Sequence, residues 1–275
     1  MPSNSIDEMA ARYARIEESH GAAVAKQARR AADGQFDLLV GSTVHNVRGI
    51  LSSLKGALSM LLLNIEQGNV DPKMLRENMV RMNDWLSFLE RFIEDVRAYS
   101  RAAPATRRRE RIADLVQEAR RIVTDDLRAR SFDVDGVCLD IDVPENITAE
   151  VARHQVAAAI THVLRNAYEA FDEVDAAGKS ITIQALVKGE AVEIAIADNG
   201  PGIDPVDLRD ILDFIPGRTT KKTYGTGFGL PTAYRYAAAH GGSLTIQSQE
   251  GKGTTVTISL PLEQEGDDET TGACD

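Results

Sequence analysis

Two glycine-rich hexapeptides constrain this chain most: Asp198-Asn199-Gly200-Pro201-Gly202-Ile203 and Gly225-Thr226-Gly227-Phe228-Gly229-Leu230. The first follows an apolar alternation, Val192, Ile194, Ile196, that reads as a buried strand. An acid leaving a strand ahead of two glycines puts one carboxylate where backbone can approach a ligand closely. The second hexapeptide runs into an expected helix over 230–239. A glycine-rich turn at a helix N-terminus offers free N–H groups and a positive dipole end to phosphate. Between the two, the segment from Ile211 to Lys222 becomes polar and basic at its end, with Arg218, Lys221 and Lys222. It reads as a lid over an anion. There is no Gly-x-x-x-x-Gly-Lys-Ser/Thr run, so this is not a P-loop chain.

Upstream the pattern is helical. Val40, Val44, Val47, Leu51, Leu54, Leu58, Leu61 and Ile65 recur at alternating four- and three-residue spacing, and Leu75, Met79, Met82, Leu86, Leu89, Ile93 and Val96 form a second seam. The turn cluster from Gln67 to Pro72 separates them, with Asp71 placed as N-cap and Pro72 at the first helical position. Two helices of roughly 30 residues, about 45 Å each, predict an antiparallel hairpin. Alone, that hairpin leaves aliphatic side chains wet, forfeiting about 1.5–3 kcal/mol for each one not buried. Pairing two hairpins into a dimeric four-helix bundle covers them, so a homodimer is expected.

Composition sets the outer limits. At 275 residues there is room for two modest domains. A net charge of −11 argues against broad nucleic-acid binding. Cys138 and Cys274 make neither a disulfide framework nor a zinc spacing, which fits a reducing cytoplasm. No apolar run is long enough to span a bilayer and no signal-peptide segment is present, so no membrane role is expected. The domain boundaries expected are a helical leader over 1–34 with Gly21 and Gly34 as breaks, the hairpin over 35–103, a solvated linker over 104–110 containing Arg107, Arg108 and Arg109, a second domain over 111–262, and an acidic disordered tail over 263–275. In the second domain the expected helices cover 111–130, 150–171 and 230–239; strands are expected within 132–143 and over 180–187, 191–197, 243–248 and 254–260. The fold class is therefore α+β, with a helical hairpin ahead of a two-layer α/β sandwich.

These residues carry a resemblance. Asp198–Ile203 resembles the first glycine box, and Gly225–Leu230 the second, of the ATP-binding domain of sensor histidine kinases, which belongs to the GHKL superfamily with DNA gyrase and the MutL mismatch-repair proteins. Leu164-Arg165-Asn166-Ala167-Tyr168-Glu169-Ala170 resembles its asparagine box, Gly253-Thr254-Thr255 the motif before its last strand, and His45-Asn46-Val47-Arg48 the phospho-acceptor histidine box. The resemblance covers roughly 36–262 and implies a Bergerat-type ATP-binding fold. It implies ATP and Mg²⁺ as cofactors, with Asn166 as the metal ligand. It also implies that Asp198 accepts from the adenine amine, which favours adenine over guanine because a carboxylate only accepts. Gly200, Gly202, Lys221, Gly225, Thr226, Gly227, Phe228, Gly229, Leu230 and Thr254 complete the implied ATP site, with Arg218 and Lys222 as further phosphate candidates. His45 is implied as the acceptor, with Asn46 orienting its tautomer.

The expected activity is autophosphorylation of His45 from Mg-ATP and transfer to an aspartate on the receiver domain of a separate response regulator. Several positions depart from the family pattern. Asn46 replaces an acid, Gly49 replaces a residue that orients water for dephosphorylation, and Gly217 and Arg218 stand where a second aromatic follows the matching Phe214 and Pro216. His162 stands where gyrase and MutL carry a water-activating glutamate, which favours a kinase over an ATPase switch. Asn46 and Gly49 favour the other alternative, a phosphotransfer or scaffold protein with a vestigial ATP domain.

Overall fold

The computed structural model describes residues 14–69, 71–100, 106–171, 178–217 and 225–263. The expected lid cations Arg218, Lys221 and Lys222, the leader before residue 14, the start of the linker and the acidic tail after Glu263 lie outside them. The chain divides into two compact units, Met1–Leu89 and Glu90–Asp275.

The first unit contains helix α1 (Ala22–Glu66) and most of helix α2 (Pro72–Ser100). Gly21 breaks the chain before α1 at φ 85°, as expected, but Gly34 lies inside the helix. A single interior glycine costs only about 1 kcal/mol relative to alanine, which the helix formers on either side offset. At the other end the Gly68 N–H donates to Ile65 O (3.1 Å), and the Asp71 carboxylate accepts from the Lys73 N–H (3.0 Å), capping α2 as its sequence predicts. The first seam splits by exposure. Val47, Leu54 and Leu61 are half-buried, whereas Val44, Leu51, Leu58 and Ile65, seven residues apart, remain 45–51% exposed. Met79, Leu86 and Ile93 on α2 repeat that open spacing.

The second unit begins with the last turns of α2. It continues through β1 (Arg108–Arg111), α3 (Ile112–Ala129), β2 (Cys138–Asp142), β3 (Thr148–Val151), α4 (Arg153–Glu169), β4 (Ser180–Lys188), β5 (Ala191–Asp198), α5 (Pro205–Leu212), α6 (Gly229–Ala239), β6 (Ser243–Gln249) and β7 (Gly253–Pro261). The main sheet runs β2-β4-β5-β7-β6, with β2 parallel to β4 and the other pairs antiparallel. Alternate residues Ile181, Ile183, Val192, Ile194, Ile196, Val256, Ile258 and Leu260 are buried on one face. There they join Leu115, Val116 and Val123 of α3 and Ile160, Val163 and Leu164 of α4 in one core. Each such side chain contributes about 1.5–3 kcal/mol at most, since unfolded chains already bury some surface.

Three elements differ from expectation. The charged run expected as a solvated linker contains β1, paired antiparallel with β3. Its residues are extended because they pair with β3, and ion pairs flank the ladder: Glu110 binds Arg153 at 2.7 Å and Arg109 binds Glu263 at 2.9 Å. Residues 148–151, expected partly as helix, form β3, so α4 begins only at Arg153. Helix α5 was unexpected, although Asp204 caps it by accepting from Val206 N (2.7 Å) with Pro205 in the first turn.

Candidate functional site

The first glycine box leaves the end of β5. Asp198 is half-buried, and its carboxylate accepts from the Gly200 N–H at 2.9 Å. Gly200 is required there: a Cβ would sit 2.8 Å from Asp198 Oδ1 and 3.2 Å from Ala170 Cβ. Gly202 has φ +68°, and a Cβ on it would run into the carbonyl of Gln249. At both glycines the space a side chain would take holds protein. A Cβ on Gly253 would likewise meet the Asp198 carbonyl. The β6–β7 turn is bonded to the box, with the Gly251 N–H donating to Pro201 O (2.7 Å) and the Ile203 N–H to Ser248 Oγ (2.9 Å). Thr254 stands opposite Asp198 in the ladder, and its hydroxyl bonds Ser248 Oγ at 2.8 Å. Asn199 is structural: its side chain accepts from Ser180 N and donates to Gly178 O, both at 2.8 Å.

The C-terminal half of α4 and the two residues after it join both glycine boxes. Ala170 and Phe171 lie against Gly200, while His162 and Asn166 lie against Gly229, with Asn166 Nδ2 3.8 Å from where a Gly229 Cβ would be. Asn166 is half-buried, and no described residue hydrogen-bonds its amide. That amide supplies the hard oxygen donor that Mg²⁺ accepts alongside water and phosphate oxygens, so the residue fits the metal implied for it. Among the described residues no cluster of His, Cys, Asp and Glu makes a separate metal site. Glu169 is held by Arg130 (3.3 Å) and Arg91 (3.9 Å), which offset its charge beside the site.

The second glycine box opens α6 without a side-chain cap or an acid in the first turn, which leaves its first N–H groups available to an anion. Gly227 takes φ 72°, and its carbonyl accepts from the Gly217 N–H at 3.0 Å, tying the two flanks of the lid segment together. Two residues of this box also meet the protein interior. Phe228 is fully buried, edge-on to Phe92 (5.5 Å) and Tyr99 (5.9 Å) of α2, and Leu230 packs on the core. The same end of α2 supplies Asp95, whose carboxylate accepts from Thr226 Oγ1 at 2.5 Å, and the Ala98 carbonyl, which accepts from Tyr236 Oη at 3.0 Å. Phe214 stacks on Tyr234 at 4.5 Å.

Burial lowers the pKa of His162 and holds its ring neutral. Burial also lowers His240, which closes α6. His240 Nε2 accepts from the Ala152 N–H at the start of α4 (2.9 Å), which leaves the proton on Nδ1 to donate to Tyr236 O (2.7 Å). Sequence reasoning missed His240, Ser248 and Asp95, because each acts through a partner distant in the chain. In the first unit, His45 is exposed on α1 and Asn46 is half-buried beside it.

Residues 153–264 match the family described as histidine kinase-, DNA gyrase B-, and HSP90-like ATPase. The sensor histidine kinase ZraS of Escherichia coli (strain K12) is 30% identical over 227 residues, covering 82% of this chain and 45% of ZraS. ZraS of Salmonella typhi is 27% identical over 256 residues, covering 91% and 51%. The chain thus spans about half the length of these relatives. Among solved structures, histidine kinase ThkA in complex with response regulator protein TrrA aligns with TM-score 0.65 and 19% identity, over 91% of this chain and 66% of that one. Acinetobacter baumannii histidine kinase AdeS aligns with TM-score 0.58 and 19% identity, over 79% and 98%. At that identity the likeness is one of fold. The matched ATP-binding domain holds the asparagine box and both glycine boxes, and over most of its length the chain is similar to sensor histidine kinases.

Proposed function

We propose that this chain is a dimeric protein histidine kinase that phosphorylates its own His45 from Mg-ATP and passes the phosphoryl group to an aspartate of a response regulator. The observation that carries this is the meeting of Asn166, the Asp198 box and the Gly229 box at the C-terminal end of α4. Asp198 accepts from the adenine amine, the N-terminus of α6 and the lid cations Lys221, Lys222 and Arg218 take the phosphates, and Asn166 holds Mg²⁺. The metal, when bound, neutralises charge on the phosphates. His45 Nε2, with Nδ1 protonated and oriented by Asn46, attacks the γ-phosphorus. The bond to the β-phosphate oxygen breaks, ADP leaves with the electron pair, and the imidazolium then gives up its Nδ1 proton. The receiver carboxylate later takes the phosphoryl group from nitrogen.

The dimer is supported by the open stripe of Val44, Leu51, Leu58 and Ile65, which a second hairpin would cover in a four-helix bundle. Use of a response regulator is supported by the complex in which ThkA was solved. Dependence on ATP assigns the chemistry to the cytoplasm, and among the described residues no helix is long and apolar enough to cross a membrane.

The test is incubation with γ-labelled ATP and Mg²⁺. Acid-labile label should appear on the wild type, vanish in His45→Ala, and fall sharply in Asp198→Asn. Sustained ATP turnover by His45→Ala would instead favour the ATPase switch. ATP binding without any labelling would favour the phosphotransfer or scaffold protein, the outcome that Asn46 and Gly49 point toward.

A further inference from the structure

The end of α2 places a carboxylate beside the second glycine box. Asp95 accepts from Thr226 Oγ1 at 2.5 Å, and that same hydroxyl accepts from the Phe228 N–H at 3.4 Å, just ahead of α6. The carboxylate therefore sits, through one hydroxyl, at the positive end of an eleven-residue helix that has no acid of its own in its first turn. Neighbouring contacts keep it there. Phe92 and Tyr99 enclose Phe228, Tyr236 donates to the Ala98 carbonyl, and the Arg235 guanidinium lies 4.5 Å above the Tyr99 ring. Asp95 is 131 residues from Thr226 in sequence, and nothing in the helical seam requires an acid at that position.

We propose that Asp95 is a positioning residue that acts through Thr226 as an internal competitor for the phosphates, so that it sets both the affinity of the site and its dependence on phosphate number. The proposal rests on the nucleotide-site assignment above. A triphosphate at the start of α6 brings several negative charges close to the Asp95 carboxylate, and like charges at short range inside a partly buried site repel. Either the carboxylate releases Thr226 or the phosphates bind less tightly. The adenine end, at Asp198, is indifferent to this exchange.

The experiment measures binding of adenosine, ADP and ATP, with Mg²⁺, to the wild-type chain, Asp95→Asn, Asp95→Ala and Asp95→Glu, at low and high salt. Asparagine keeps the shape and an acceptor oxygen but removes the charge. Asp95→Asn should bind ATP roughly threefold to tenfold more tightly than wild type, ADP with a smaller gain, and adenosine unchanged. The gain should shrink as salt screens the charge. Asp95→Ala should follow Asp95→Asn, while Asp95→Glu stays near wild type. These two provide the same comparison if the asparagine variant folds poorly. A purely structural Asp95 would alter the melting temperature, or all three ligands equally. Equal or weaker ATP binding by both neutral variants overturns the proposal while leaving the nucleotide site intact. A wild type that binds none of the three ligands overturns the nucleotide site, and this proposal with it.

Discussion

The two glycine boxes look alike in sequence but are held by opposite means. In the first, backbone fits against backbone: Gly202 and Gly253 have no room for a Cβ, and the β6–β7 turn is bonded to Pro201 and Ile203. In the second, side chains do the holding. Phe228 is buried between Phe92 and Tyr99, Thr226 is bonded to Asp95, and Gly229 has His162 and Asn166 only at ordinary van der Waals distance. Under the proposed function the rigid box holds the adenine end, whose shape does not change during the reaction. Under the same proposal the side-chain-held box stands at the phosphate end, where charge and length change when ATP becomes ADP, and side-chain contacts are the ones able to rearrange.

Breaking each box should therefore need a different substitution. Phe228→Ala should have the largest effect, a loss of about 3–5 kcal/mol, because it empties a fully buried aromatic position. Denaturant unfolding would measure it, and a loss under 1 kcal/mol would mean that the second box is not anchored by this ring. Gly202→Ala should follow, costing about 3 kcal/mol through left-handed backbone and collision with Gln249. A tolerated Gly202→Ala would undo the contrast from the other side.

Acid should sharpen the comparison at the far end of α6. His240 is neutral in the fold, its pKa lowered by burial, whereas in the unfolded chain it titrates near 6.5. Below that value the unfolded state binds more protons. Its contribution is thus complete above about pH 6.5 and is lost as pH falls, by at most about 1.4 kcal/mol per pH unit. A His240→Gln variant should show a flatter stability profile between about pH 6.5 and 5 than wild type. The smallest effect is expected of Gly229→Ala: the new methyl fits at 3.5 Å and helix propensity improves, so stability should change by less than about 1 kcal/mol.

Much of this could be read from sequence because it is local. The seams of α1 and α2, the capping of α2 by Asp71, and the strands alternating at Val192, Ile194 and Ile196 follow from periodicity and turn chemistry. β1 was hidden because Arg-Arg-Glu-Arg carries no apolar alternation; its partner strand decides its conformation. The break expected at Gly34 failed for the converse reason, since one weak helix former does not outweigh its neighbours.

By itself the sequence determined which residue types stand at the site and in what order, since box spacing and strand and helix periods are written in neighbouring residues. Only the tertiary structure decided what each of them faces. It packed the first box against the β6–β7 turn, buried Phe228, laid Leu230 on the core, and brought Asp95 to Thr226. The physical reason is that close approach depends on which distant segments share a surface, and no local period records that. The box motif fixes where a phenylalanine stands in the chain, while the aromatic rings of α2 fix what it does.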